Sequence, residues 1–290
     1  MTQPRKIKMT EHIIKLKSGL EIAYFDEGNS EHIILCIHGL GSNKKAFIRN
    51  IYEISQFARV IAMDLPNYGN SSKGDYPSNL KFFSETIIEF VEELKLGKII
   101  LCGHSMGGQI AILTALNFTD IIKKLILIAP AGLEKFTQEE IKRVERYFSF
   151  EAIKNMTKEQ IEYNVKLNFY QFPPEAQFII DERIELTKSP YFDFYCLTVS
   201  RAFQDMLRNS VMDIIHQIQQ PVLMFFGEED ALIPNRILHP TTTENLAREA
   251  CKRIENCQLV LIKDCGHFLQ FEKPDIFNKM VSYFINHYCK

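Results

Sequence analysis

The stretch Gly103-His104-Ser105-Met106-Gly107-Gly108 constrains this chain more than any other. It follows the apolar run Lys98-Ile99-Ile100-Leu101-Cys102, which reads as a buried strand, and precedes Gln109 to Leu116, which reads as a helix. A strand, a G-x-S-x-G turn and a helix together make a nucleophile elbow. The turn is tight enough to strain the serine backbone and push its hydroxyl out at the top of the sheet. Gly103 and Gly107 leave room for strand and helix to approach without Cβ clashes. The helix that starts after Ser105 points its free N–H groups at the place where an oxyanion would form.

With 290 residues and 46% apolar content, the chain suffices for one large core with a sizeable insertion. A net charge of −2 argues against a dedicated nucleic-acid binder. No 18-residue apolar stretch exists, so no integral membrane segment is expected. The first residues, MTQPRKIKMTEH, carry positive charge but no apolar run of a secretory signal. The seven cysteines form no C-x-x-C pair, and Cys36 and Cys102 sit in apolar runs. They read as small core residues in a reducing compartment rather than a disulfide framework. A cytoplasmic protein is expected.

Along the chain, His12–Leu16 and Leu20–Phe25 read as an edge hairpin, and Glu31–Ile37 as an interior strand. A helix is expected over about 44–56, then the strand Arg59–Met63 and a helix over 79–95. Lys124–Ala129 is a further strand. Strands alternating with helices imply a parallel sheet covered on both faces. From about Glu134 to Ile215 the pattern turns helical, with capping boxes at Thr137/Glu140 and Thr157/Gln160. Pro173-Pro174 breaks one helix and begins another, and Ser189-Pro190 reads as N-cap and first helical residue of the next. This block is rich in aromatics, including Phe172 and Phe194. Most of these rings serve the block's own core, and some are expected to line an apolar pocket beneath a lid. Strands resume at Pro221–Phe226 and Gln258–Ile262, with a helix over 242–253 between them. A last helix follows Pro274, with Phe277, Met280, Val281, Phe284 and Tyr288 on one face.

Ser105, Asp230 and His267 each stand just after an apolar strand. In a parallel sheet such strand ends share one edge, where ligand crevices form. A serine hydroxyl needs a base in reach near pH 7, which His267 supplies. Asp230 would hold the imidazole in the right tautomer. It competes for that role with Asp264, three residues before His267, and with Glu228 and Glu229. The backbone N–H groups of Leu40, in His38-Gly39-Leu40-Gly41, and of Met106 are the candidate oxyanion hole. His38 and His104 flank the site as packing and orienting residues. No His, Asp or Cys cluster has metal-ligand spacing, and no G-x-G-x-x-G follows a strand, so no metal and no cofactor is expected.

These segments, with Asp64–Ser71, Gly227–Asp230 followed by Pro234, and Gly266-His267, resemble the α/β-hydrolase fold superfamily. Within it the chain looks most similar to monoacylglycerol-lipase-like and carboxylesterase-type serine hydrolases. The resemblance covers about two thirds of the chain. It implies a mostly parallel eight-stranded sheet flanked by helices, with a helical lid inserted after the sixth strand. Residues 1–133 and 216–290 would form the core and 134–215 the cap. The implied activity is hydrolysis of small lipophilic carboxylic esters, acylglycerols among them, with Phe268, Phe172 and Phe194 as substrate-binding residues. Ser105 at the elbow departs from dehalogenases and epoxide hydrolases, which carry aspartate there. His104 and Phe268 depart from carbon–carbon bond hydrolases, which usually carry asparagine before the serine and tryptophan after the histidine. Asn67 replaces a glycine common in the turn after Asp64, so a local backbone adjustment is expected. Acyl transfer to another acceptor, carbon–carbon cleavage, or a ligand receptor with vestigial hydrolysis on the same fold remain alternatives. The oligomeric state is not legible.

Overall fold

The computed structural model describes residues 9–287. The expected features of residues 1–8, and of Tyr288, lie outside the described residues. Eight strands form one sheet: β1 (Glu11–Lys15), β2 (Glu21–Glu27), β3 (Ile33–Ile37), β4 (Arg59–Met63), β5 (Ile99–His104), β6 (Ile122–Ile128), β7 (Val222–Gly227) and β8 (Cys257–Ile262). Their spatial order is β1-β2-β4-β3-β5-β6-β7-β8. β1–β2 and β2–β4 pair antiparallel, and every later pairing is parallel. The inner strands read as continuous apolar runs because both faces are covered; β5 and β7 are buried at every residue. β1, at the edge, is largely exposed.

The flanking helices are α1 (Ile51–Ile54), α2 (Leu80–Glu93) and α3 (Met106–Asn117), then α4 (Gln138–Glu145), α5 (Phe150–Lys154), α6 (Lys158–Lys166), α7 (Gln177–Leu186) and α8 (Phe192–Arg208), and last α9 (Thr243–Arg253), α10 (Leu269–Glu272) and α11 (Pro274–His287). Helices α4 to α8 fall between β6 and β7, which makes them the insertion after the sixth strand. Both expected capping boxes form, at Thr137/Glu140 and Thr157/Gln160.

Four local expectations are corrected. The single helix over 44–56 is instead a 3₁₀ turn, Lys44–Phe47, followed by the short α1. Between them Asn50 turns inward, and its amide donates to Gln270 O (2.8 Å) and Asn278 Oδ1 (3.0 Å), which docks this segment on the C-terminal helices. Ser189 does not cap α8: Tyr191 occupies the N-cap position, and the Ser189 carbonyl accepts from Phe192 N (3.1 Å) to close a turn beforehand. After Pro173-Pro174 the chain makes a 3₁₀ turn, Pro174–Ala176, before α7. Cys251 and Cys257 are joined by a disulfide, their Cα atoms 5.5 Å apart where α9 gives way to β8. Cys36 and Cys102 are buried free thiols facing each other across β3 and β5. At Asn67 the adjustment is a left-handed backbone, φ 68°, held by its amide bonds to Gly74 O and Thr198 Oγ1 (both 2.8 Å).

Candidate active site

Ser105 sits between β5 and α3 with φ 54° and ψ −116°, a sparsely populated conformation for a side chain-bearing residue. Neighbouring bonds over-determine it. Its N–H donates to Ile128 O (2.9 Å), and its carbonyl accepts from Gly108 N (2.9 Å), Gln109 N (3.1 Å) and Ala131 N (3.0 Å). The glycines explain the motif. A Cβ on Gly103 would stand 2.1 Å from Gly107 O, and one on Gly107 would stand 2.4 Å from Ile37 O and 2.7 Å from His38 O. Strand, helix and the preceding turn meet backbone to backbone there, and only hydrogen fits.

Asp230 follows β7 and is fully buried. Its Oδ1 accepts from the N–H groups of Leu232 (2.8 Å) and Ile233 (3.0 Å), leaving Oδ2 to meet His267 Nδ1 at 2.7 Å. An ionised carboxylate only accepts, so Nδ1–H donates and Nε2 is left free to take a proton. The competing carboxylates stand elsewhere: Glu229 and Asp264 are exposed and Glu228 half-buried, with none bonded to the ring. Ser105 and His267 both face one cavity of about 510 Å³, with no hydrogen bond between them among the described residues. Such contacts commonly tighten only when substrate is bound.

The turn Gly39–Ser42 is closed by Ser42 N–H to Gly39 O (3.1 Å), with Gly41 left-handed at φ 68°. His38 Nε2 accepts from Leu65 N–H (3.1 Å), so the proton lies on Nδ1, which donates to Gly39 O (2.9 Å). Burial pushes the His38 pKa down to about 4, so the ring is a neutral brace. His104 is likewise held well below the ordinary histidine value, by burial and then by the neighbouring His267. Its Nε2 donates to His267 O (3.1 Å), tying the elbow to the histidine loop. Among the described residues, neither Leu40 N–H nor Met106 N–H has a protein acceptor. These are the two donors expected to face an oxyanion, and Met106 N–H heads α3.

Helices of the insertion roof the cavity. Phe192, Tyr195, Val199, Phe203 and Met206 form one stripe of α8 along it, and Phe148, Phe169 and Phe268 add further rings. Phe268 therefore lies where expected, but Phe172 and Phe194 do not line the cavity. Phe194 stands two residues from Phe192, about 200° round the helix, and so faces away. Phe172 packs edge-on behind Phe169, ring centroids 5.3 Å apart. Sequence reasoning also missed Arg183, Tyr195 and Glu272. Glu272 fastens the cap to the histidine loop, accepting from Gly266 N (2.9 Å), Tyr170 N (3.2 Å) and Gln171 N (3.0 Å). The α8 stripe was readable from its 3.6-residue period, whereas Arg183 and Glu272 carry no local signal. Among the described residues no group of three His, Cys, Asp or Glu side chains is placed to hold a metal ion, and no helix is long and apolar enough to cross a membrane.

A nucleophile elbow, a histidine–aspartate pair and two free backbone N–H groups on this sheet define a hydrolase-type site. The family model for the alpha/beta hydrolase fold matches residues 32–274, and the chain belongs to that family. It is 25% identical over 265 residues to human monoacylglycerol lipase ABHD6, covering 87% of this chain and 74% of the relative. It is 24% identical over 298 residues to a 2-hydroxy-6-oxononadienedioate/2-hydroxy-6-oxononatrienedioate hydrolase of Pseudomonas putida, covering 97% and 98%. Among solved structures, the esterase EaEST from Exiguobacterium antarcticum superposes with a TM-score of 0.80 at 19% identity, over 95% of this chain and 99% of that one.

Proposed function

We propose that this α/β hydrolase is a serine esterase that cleaves lipophilic carboxylic esters through an acyl-enzyme on Ser105. In this reading the Ser105 hydroxyl oxygen attacks the ester carbonyl carbon while His267 Nε2 takes its proton. Proton transfer of this kind contributes roughly 10²–10⁴-fold in rate. The resulting oxyanion accepts from Leu40 N–H and Met106 N–H. The tetrahedral intermediate collapses, the carbon–oxygen ester bond breaks, and the imidazolium returns its proton to the leaving alkoxide. A water then repeats the sequence on the acyl-enzyme, releasing the carboxylic acid and restoring Ser105. Asp230 keeps Nδ1 protonated and stabilises the imidazolium throughout.

The observation that carries this reading is the 2.7 Å contact of His267 Nδ1 with buried Asp230, set in the same cavity as the strained Ser105. The aromatic walls support a lipophilic acyl chain, and the likeness to a monoacylglycerol lipase points the same way. Carbon–carbon cleavage is the second reading, favoured by the likeness to the P. putida dienedioate hydrolase. Turnover of p-nitrophenyl esters from acetate to decanoate, run beside a 2-hydroxy-6-oxo-dienoate, separates the two. Multiple turnover of esters, lost in Ser105→Ala, supports the esterase. Turnover confined to the dienoate supports carbon–carbon cleavage, and a single burst or no product from either supports a receptor.

A further inference from the structure

We infer that Glu134 and Asn235 form a polar corner of the cavity that recognises a free hydroxyl on the alcohol part of the ester, so that the substrates are acyl monoesters of polyhydroxy alcohols. The inference rests on the esterase reading above. Glu134 lies between β6 and α4, and Asn235 in the loop between β7 and α9; both line the cavity that Ser105 faces. The Glu134 side chain is only 9% exposed. Its Oε1 accepts from Asn235 N–H (2.8 Å) and from His239 Nδ1 (2.6 Å). Its Oε2 has no hydrogen-bond partner among the described residues. Asn235 is the counterpart. Its Oδ1 accepts from Ile237 N–H (3.2 Å) and Leu238 N–H (3.3 Å), which fixes the orientation of the amide and leaves Nδ2 with no acceptor among the described residues. A carboxylate oxygen without a donor and an amide nitrogen without an acceptor thus stand on two residues already joined by a 2.8 Å bond.

Polar atoms left unpaired away from water cost free energy, so a ligand group that completes them is held there. A hydroxyl donates and accepts at once, and so serves Glu134 Oε2 and Asn235 Nδ2 together. A substrate carboxylate or phosphate would meet the Glu134 charge. A substrate ammonium would meet Arg236, next in the chain, which lines the same cavity and has no carboxylate partner among the described residues. The corner is close to the chemistry. Ala131 N–H donates to Ser105 O (3.0 Å), and three residues of chain keep Glu134 within about 11 Å of Ala131. The loop that carries Asn235 starts at Asp230, whose carbonyl accepts from Arg236 Nη2 (3.2 Å). Elsewhere the α8 stripe and the rings of Phe148, Phe169 and Phe268 suit an acyl chain. The acyl chain therefore takes the aromatic wall and the alcohol part takes the polar corner.

The test is hydrolysis of 2,3-dihydroxypropyl octanoate and of propyl octanoate, read as released octanoate. These esters share the acyl group and carbon skeleton and differ in two hydroxyls. The proteins are wild type, Glu134→Leu, Glu134→Gln and Asn235→Asp, each rate corrected to the folded, reactive fraction by fluorophosphonate titration. The wild-type protein is expected to favour the dihydroxypropyl ester in kcat/KM by about tenfold to a hundredfold, the range for a hydrogen bond to a charged group. Glu134→Leu is expected to abolish that preference while leaving propyl octanoate within about threefold of wild type. Glu134→Gln keeps the shape and a polar atom, and is expected to fall between. Asn235→Asp keeps Oδ1 for the loop but sets a carboxylate oxygen where the donor stood, and is expected to lose the preference too. An unchanged preference in Glu134→Leu overturns the inference. So does an equal loss on both esters, which would make Glu134 a structural residue, and so does wild-type hydrolysis of both esters without preference. A wild-type protein that turns over no ester at all, p-nitrophenyl esters included, fails the esterase reading and the inference with it.

Discussion

Substituting Gly107 by alanine isolates the steric logic of the elbow. The added Cβ would stand 2.4 Å from Ile37 O and 2.7 Å from His38 O, about 1 Å inside ordinary contact. Neither oxygen belongs to a flexible side chain. Ile37 ends β3, whose parallel partners β4 and β5 hold it in register. The strain must therefore move either the start of α3, with Met106 N–H, or the His38–Gly41 turn, with Leu40 N–H. A shift of 1 Å in reacting geometry costs about 10²-fold in rate. Overpacking of this kind also destabilises by roughly 1–3 kcal/mol. Gly107→Ala is thus expected to fold, to unfold at lower urea, and to lose about 10²-fold in kcat on p-nitrophenyl butyrate. The assay pairs kcat, corrected by fluorophosphonate titration, with a urea curve read by circular dichroism. Wild-type kcat with an unchanged midpoint would mean that the close backbone approach is not what fixes the site.

Asp230→Asn is expected to lower kcat by about 10²–10⁴-fold while leaving the thermal midpoint nearly unchanged. The Oδ1 bonds to Leu232 and Ile233 survive that change, and only the proton preference at His267 Nδ1 is lost. Buried Lys44 sits between Asp64 and Glu11, 2.6 Å from each, and Lys44→Met is expected to cost about 3–5 kcal/mol in urea unfolding by stranding the Asp64 charge. His38 titrates near 4 when folded and near its ordinary 6.5 when unfolded. Between those values the unfolded chain binds more protons, so stability falls as pH drops from 6.5 towards 4, by about 3 kcal/mol in all. His38→Gln is expected to remove that share of the fall in a stability-against-pH curve, leaving the share of His104, which burial holds low in the same way. The aromatic cavity predicts faster turnover of hexanoyl and octanoyl esters than of acetate, with Val199→Phe moving the optimum to shorter chains. An acetate-peaked profile would count against an acyl-binding role for the cavity.

What the sequence disclosed divides along physical lines. The elbow was legible because its constraint is local: a strand, a tight turn and a helix within about a dozen residues demand small residues at fixed offsets. The placement of Asp230 and His267 was legible because strand ends in a parallel sheet share an edge, and the structure brings the pair into contact. Phe172 and Phe194 were misplaced because aromatic content says a ring is wanted but not which way it points. The helical period of α8 would have separated Phe192 and Tyr195 from Phe194. The helix expected over 44–56 broke because buried Asn50 answers to groups more than 200 residues away, Gln270 and Asn278. Arg183 at Gly41 and Glu272 at the histidine loop were invisible for the same reason. Each joins cap to core through backbone atoms, an accepting carbonyl at Gly41 and donating N–H groups at Gly266, Tyr170 and Gln171, and a backbone partner leaves no mark on residue identity.

In the proposed mechanism Ser105 carries the acyl group while His267 activates it. Acid-quenching the protein milliseconds after mixing with p-nitrophenyl octanoate, then mapping acylated peptides by mass spectrometry, tests it most directly. One octanoyl group on the peptide containing Ser105, absent from Ser105→Ala and slowed at least a hundredfold in His267→Ala, is the predicted result. Octanoyl on another residue, or acylation of Ser105 at full rate without His267, would contradict it.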